Sequence, residues 1–115
     1  MCTQNQLYII THRIADAAKQ RLGNKLEAVV LYGSYARGDH DEESDIDIMV
    51  RVFCTKEELG AYRHVLSDVA SELSLAYDIT VSVSVVDSET FQRYRRHMPF
   101  FENVEREGIR IASEP

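Results

Sequence analysis

The 115-residue chain has no tryptophan, only two cysteines and two prolines, and a deficit of positive charge. Each shortage excludes something. Cys2 and Cys54 lie far apart and match no metal-ligand spacing, so they read as free thiols rather than a disulfide framework. The opening MCTQNQ lacks the basic patch and apolar run of a secretory signal, and no apolar stretch approaches the length that spans a bilayer. A cytoplasmic protein without membrane contact is therefore expected. Lysine and arginine number 13 against 19 aspartates and glutamates, a formal net charge of −6. That balance argues against broad contact with nucleic acid, which rests on a basic footprint that neutralises phosphates. It leaves room for one small anion held by a few local cations or by a metal. With 44% hydrophobic and 28% charged residues, the chain can bury one small core, and residues 1–115 read as a single folded domain.

What is present is periodic. Leu7, Ile10, Ile14, Ala17, Ala18 and Leu22 recur at three- and four-residue steps, predicting an amphipathic helix over Gln4 to Leu22 that stops at Gly23-Asn24. The run Leu26 to Tyr32 reads as a buried strand ended by Gly33. A turn, at most one helical turn through Ala36, then leads by way of Gly38 into an acidic loop, Asp39 to Glu43. From Asp45 to Val52, Ile46, Ile48, Val50 and Val52 alternate with Asp45, Asp47, Met49 and Arg51, the pattern of a strand with one apolar face. Thr55 to Leu75 returns to helical spacing, with Thr55 and Glu58 forming a capping box. Asp78 to Val86 alternates again as a third strand. Asp87 or Ser88 caps a helix to about His97, Pro99 breaks it, and a last helical turn runs from Asn103 to Glu107. Three strands interleaved with helices predict a small α/β domain with helices on the apolar face of the sheet.

The chemistry concentrates in Gly33 to Val50, GSYARGDHDEESDIDIMV. Asp45 and Asp47 stand two apart on a strand, so they share a face with backbones about 7 Å apart. Acidic residues are poor strand formers, and like charges side by side repel. A divalent cation compensates both, and magnesium favours one or two carboxylates completed by phosphate oxygens and water. Upstream, Gly33 and Ser34 follow a strand directly. A turn there offers backbone N–H groups to an anion, Ser34 adds a hydroxyl, and Arg37 adds a guanidinium fork suited to phosphate or to a carboxylate of the acidic loop.

Gly33-Ser34, two residues, Arg37-Gly38, five residues, then Ser44-Asp45-Ile46-Asp47 resembles the signature of the DNA polymerase beta-like nucleotidyltransferase superfamily. More narrowly, the chain resembles the minimal nucleotidyltransferase (MNT) domains of prokaryotic HEPN/MNT toxin–antitoxin pairs, including their ending in the tail PFFENVEREGI. The resemblance implies a small mixed β-sheet with helices packed on one face, a polymerase beta palm-like core. It implies that Gly33 and Ser34 hold a triphosphate and that Asp45 and Asp47 bind two magnesium ions. It also implies a third carboxylate on a neighbouring strand, for which Asp78 and Asp87 are candidates. Asp78 shares strand parity with Thr80 and Ser82, opposite Ile79 and Val81, whereas Asp87 suits a helix cap; Asp78 is therefore expected as the third ligand or as base.

In that family the MNT protein binds a HEPN ribonuclease toxin and transfers AMP from ATP to a tyrosine hydroxyl on it. A hetero-oligomer with such a toxin, and no direct contact with nucleic acid, is the expectation that follows. Two other functions stand beside it: a non-catalytic module that neutralises a partner by occlusion, and a small-molecule enzyme like the aminoglycoside nucleotidyltransferases. Those enzymes usually carry extra substrate-binding helices. Among other residues, Arg51 falls on the metal-face parity but near a strand end, where solvent exposure is the usual fate. His40 reads as surface, and His12, His64 and His97 share no zinc spacing. Arg93, Arg95 and Arg96 read as a local basic patch facing a partner or nucleotide or, more commonly for such a run, as a solvated helix face, and Phe91, Tyr94, Phe100 and Phe101 as core or partner interface.

Overall fold

The computed structural model describes residues 2–113. Helix α1 (Gln4–Leu22) opens on a capping box: Thr3 Oγ1 accepts from the Gln6 N–H and Gln6 Oε1 accepts from the Thr3 N–H. A 3₁₀ turn, Gly23–Lys25, leads to β1 (Leu26–Tyr32), and a single helical turn, α2 (Ser34–Arg37), follows Gly33. Strand β2 (Ile46–Val52) precedes α3 (Lys56–Tyr77), which carries the expected Thr55/Glu58 capping box. Then come β3 (Val81–Asp87), α4 (Ser88–Tyr94), α5 (Pro99–Glu107) and β4 (Ile109–Ser113). The sheet is mixed, in the order β3-β2-β1-β4: β1 pairs antiparallel with β2 and β4, while β2 and β3 run parallel across the α3 crossover.

The two faces of this sheet are covered differently. Ile46, Ile48, Val50 and Val52 of β2 join Val29 and Leu31 of β1 against Ile10, Ile14, Leu66 and Leu73, so the long helices α1 and α3 share the apolar face. The opposite face holds a smaller cluster of Ala28, Val30, Met49, Phe91 and Val104, with Tyr32, Val86 and Phe101 packed against it. Helices α4 and α5 therefore cover part of the polar-parity face and leave the end near Tyr32 and Asp47 accessible. Arg51 lies in this second layer and is only 5% exposed, which corrects its expected exposure. Its guanidinium pairs with Glu105 of α5 (3.2 Å) and Glu27 of β1 (3.5 Å) and sits 4.2 Å from the centre of the Phe91 ring. Glu27 reaches that face because a bulge shifts the β1–β2 register between Leu26 and Ala28. An arginine at this parity thus ties α4 and α5 to the sheet.

Candidate active site

Antiparallel pairing of β1 with β2 sets Tyr32 opposite Asp47, and parallel pairing sets Ser82 of β3 on the other side of Asp47. Alternation puts these three on the face that α4 and α5 cover only in part, Tyr32 packing against Phe100 of α5. Gly33 then turns the chain with φ 78° and ψ −158°, a backbone conformation open to glycine and strained for any other residue. A Cβ at this position would lie 2.5 Å from Asp47 Oδ2. The glycine is therefore what lets the turn backbone lie directly against the carboxylate. The helical turn starts at Ser34, so its first N–H groups, which lack partners within a helix, lie beside this contact.

The carboxylate pair is electrostatically uncomfortable. Asp47 is half-buried, and burial first, then the neighbouring Asp45 charge, push its carboxyl above the usual value. The Arg37 charge opposes that rise, but its guanidinium is shared with Asp39 (3.1 Å) and with Glu107 of α5 (3.5 Å). Asp45 precedes the strand rather than opening it, and it is exposed. Two oxygen-rich side chains, one desolvated and both repelling, fit a hard divalent cation that also takes phosphate oxygens. Among the described residues no group of three or more His, Cys, Asp or Glu side chains is gathered closely enough to form a metal site by itself.

The strand placement that singled out Asp78 does not hold. Helix α3 continues to Tyr77, two residues beyond the expected Leu75, and Asp78 closes it in the left-handed conformation (φ 51°, ψ 47°), its N–H donating to the Ser74 carbonyl. Strand β3 begins only at Val81, so the residue beside Asp47 is a serine and not a carboxylate. Asp78 instead lines a cavity of about 530 Å³ together with Asp45, Glu42, Glu43 and Thr80. Asp87 is the N-cap of α4, as expected: its carboxylate accepts from the Thr90 N–H at 3.0 Å. Burial raises its pKa, but the Thr90 hydrogen bond and other local contacts outweigh this and hold it below the ordinary value. His40 is not simply surface, since its ring stacks on the buried Tyr35 at 4.0 Å.

The residue that sequence reasoning passed over is Tyr32. Its hydroxyl is 3.5 Å from Ser84 Oγ, its ring meets Phe100 edge-on at 5.6 Å, and burial pushes its pKa up. The available signal was its parity: it is the last residue of β1 and faces the same way as the motif carboxylates. The four C-terminal aromatics separate. Phe91 is fully buried and Phe101 half-buried in the second core, while Tyr94 and Phe100 are exposed.

A family model described as nucleotidyltransferase domain matches residues 12–108. A Methanocaldococcus jannaschii protein assigned as a protein adenylyltransferase is 37% identical over 92 residues, covering 78% of this chain and 83% of that protein. Among solved structures, one assigned as a nucleotidyltransferase from Sulfolobus solfataricus aligns with TM-score 0.65 at 22% identity, over 96% of this chain and 83% of that one. A structure of tri-AMPylated Shewanella oneidensis HEPN toxin in complex with MNT antitoxin aligns with TM-score 0.52 at 18% identity, over 93% of this chain and 72% of that one. These two likenesses show the fold, and the family match and the identity over most of both chains show more: the chain belongs to the nucleotidyltransferase domain family and is a nucleotidyltransferase.

Proposed function

We propose that this nucleotidyltransferase is a protein adenylyltransferase that moves AMP from ATP to a hydroxyl, a tyrosine, of a HEPN ribonuclease toxin, and so acts as its antitoxin. The observation that carries the reading is the contact of Asp47 with the Gly33 turn, which brings a phosphate-binding backbone and a metal-binding carboxylate together on one accessible sheet end. The assigned activity of the M. jannaschii relative supports the acceptor class, and the fold shared with a toxin–antitoxin complex supports the partner.

In this reading Gly33 and Ser34 hold the β- and γ-phosphates, and Asp45 and Asp47 hold magnesium. Magnesium held by these two carboxylates would neutralise the phosphate oxygens and lower the pKa of the attacking hydroxyl. The protein's own part is to align: Gly33 fixes the phosphates at the turn beside Asp47, and the acceptor hydroxyl, releasing its proton to solvent, attacks the α-phosphorus opposite the leaving pyrophosphate. Arg37 steadies the phosphates from the turn. Asp78 lines the same cavity as Asp45 and adds negative charge there. Incubation with magnesium, α-labelled ATP and a HEPN-domain protein from the same source tests the reading. Label on the partner's tyrosine is the expected result. Inhibition of the partner without any label would make the protein an occluding antitoxin, and label on an aminoglycoside alone would make it a small-molecule enzyme.

A further inference from the structure

We propose that the cleft between the Gly33 turn and α5 is the nucleoside site, taking a purine ring with Phe100 against its face and Asn103 at its edge. This rests on the reading that Gly33 and Ser34 hold the phosphates. The cleft has a volume of about 220 Å³, and its walls include Tyr32, Gly33, Phe100, Asn103 and Glu107. One wall is thus the phosphate turn itself, so a nucleotide anchored there has its remaining half within reach of this space. The other cavity next to the motif, beside Asp45, is ringed by Glu42, Glu43 and Asp78, a setting suited to cationic groups rather than to a purine.

Phe100, Asn103, Val104 and Glu107 fall at i, i+3, i+4 and i+7 of α5, so they share the helix face turned to Gly33. Phe100 is 47% exposed, although it is not loose. It meets Tyr32 edge-on at 5.6 Å and Phe101 at 5.4 Å, and Phe101 in turn meets the buried Phe91 at 5.5 Å. These two ring contacts hold Phe100 in place while about half of its surface stays open, and a ring already held loses little freedom when a base stacks on it. The Asn103 amide is exposed, and its oxygen already accepts from Arg106 at 2.9 Å, which leaves its N–H₂ to donate to a purine ring nitrogen. The ion pair of Arg37 with Glu107 (3.5 Å) closes the rim between turn and helix.

Titration calorimetry of magnesium–ATP and magnesium–tripolyphosphate against the parent, Phe100→Ala, Asn103→Ala and Asp47→Asn proteins tests this. The parent should bind ATP more tightly than tripolyphosphate. Phe100→Ala should weaken ATP about tenfold, the scale of one lost base–aromatic stack, and leave tripolyphosphate unchanged. Phe100→Trp should restore ATP binding, and Asn103→Ala should weaken it independently should Phe100→Ala melt early. Unchanged ATP affinity in both alanine variants would overturn the nucleoside site; if Asp47→Asn still weakened both ligands, the phosphate reading would stand without it. A parent that bound neither ligand would overturn both.

Discussion

At the residue scale, two backbone positions with positive φ, Gly33 and Asp78, behave in opposite ways. Gly33→Ala is expected to fail twice, once through strain at φ 78° and once through collision with Asp47 Oδ2. The stability cost should be about 1–3 kcal/mol by urea denaturation, with transfer lost in the folded fraction. At Asp78 the opposite holds. Its left-handed conformation at the end of α3 is one that glycine adopts without cost, so Asp78→Gly should melt no lower than the parent. That substitution removes the carboxylate without weakening the helix end, and most of the transfer activity should remain. A loss as deep as that of Asp47→Asn would instead place Asp78 among the metal's ligands.

At the element scale, the sequence announced most elements through period and caps. The bounds of α1 and β1 stand where the apolar spacing put them, and Thr55/Glu58 and Asp87 cap α3 and α4 as expected. The failures have local causes. Pro99 read as a breaker, yet it occupies the first position of α5, where its missing N–H costs nothing, so the helix spans Pro99–Glu107 rather than the last turn alone. Strand β4 is short, and its signal was only the alternation of Ile109 and Ile111 in IRIAS; its existence depends on pairing with β1, a contact distant in sequence. The early start given to β3 came from extending its alternation backwards through Asp78, where the helix had not yet ended. One cap also has a pH signature. The Glu58 carboxyl is held at about 2, against an ordinary 4.5, by the hydrogen bond from Lys25 and then by the Thr55 backbone. A depressed carboxyl contributes stability above 4.5 that is lost as pH falls toward 2. A glutamine side chain can still complete the capping box, so Glu58→Gln isolates the charge. That variant should melt lower than the parent near neutral pH, with the gap closing in that acid window. A gap independent of pH would remove the Lys25 pair from α3's stability.

At the scale of the whole molecule, the two helical layers divide the labour. Helices α1 and α3 supply the main core, while α4 and α5, tied down by Arg51, cover the reactive face only in part and leave its Asp47 end open. No helix among the described residues is long and apolar enough to cross a membrane. The charge carried at the open end is a cost to the fold. Because the Asp47 carboxyl is raised above its ordinary 3.8, ionising it opposes folding, an effect that sets in as pH rises past that value and is complete once pH exceeds the raised folded-state pKa. Asp47→Asn should therefore melt at or above the parent's temperature at pH 7 while losing function. That pairing is tested most directly by transfer of label from α-labelled ATP to a HEPN-domain protein, the proposed acceptor, with and without magnesium, in parent and Asp47→Asn proteins of verified fold. The expected result is magnesium-dependent labelling by the parent and none by the equally or more stable variant. Labelling at the parental rate by Asp47→Asn, or by the parent stripped of divalent metal, would contradict it.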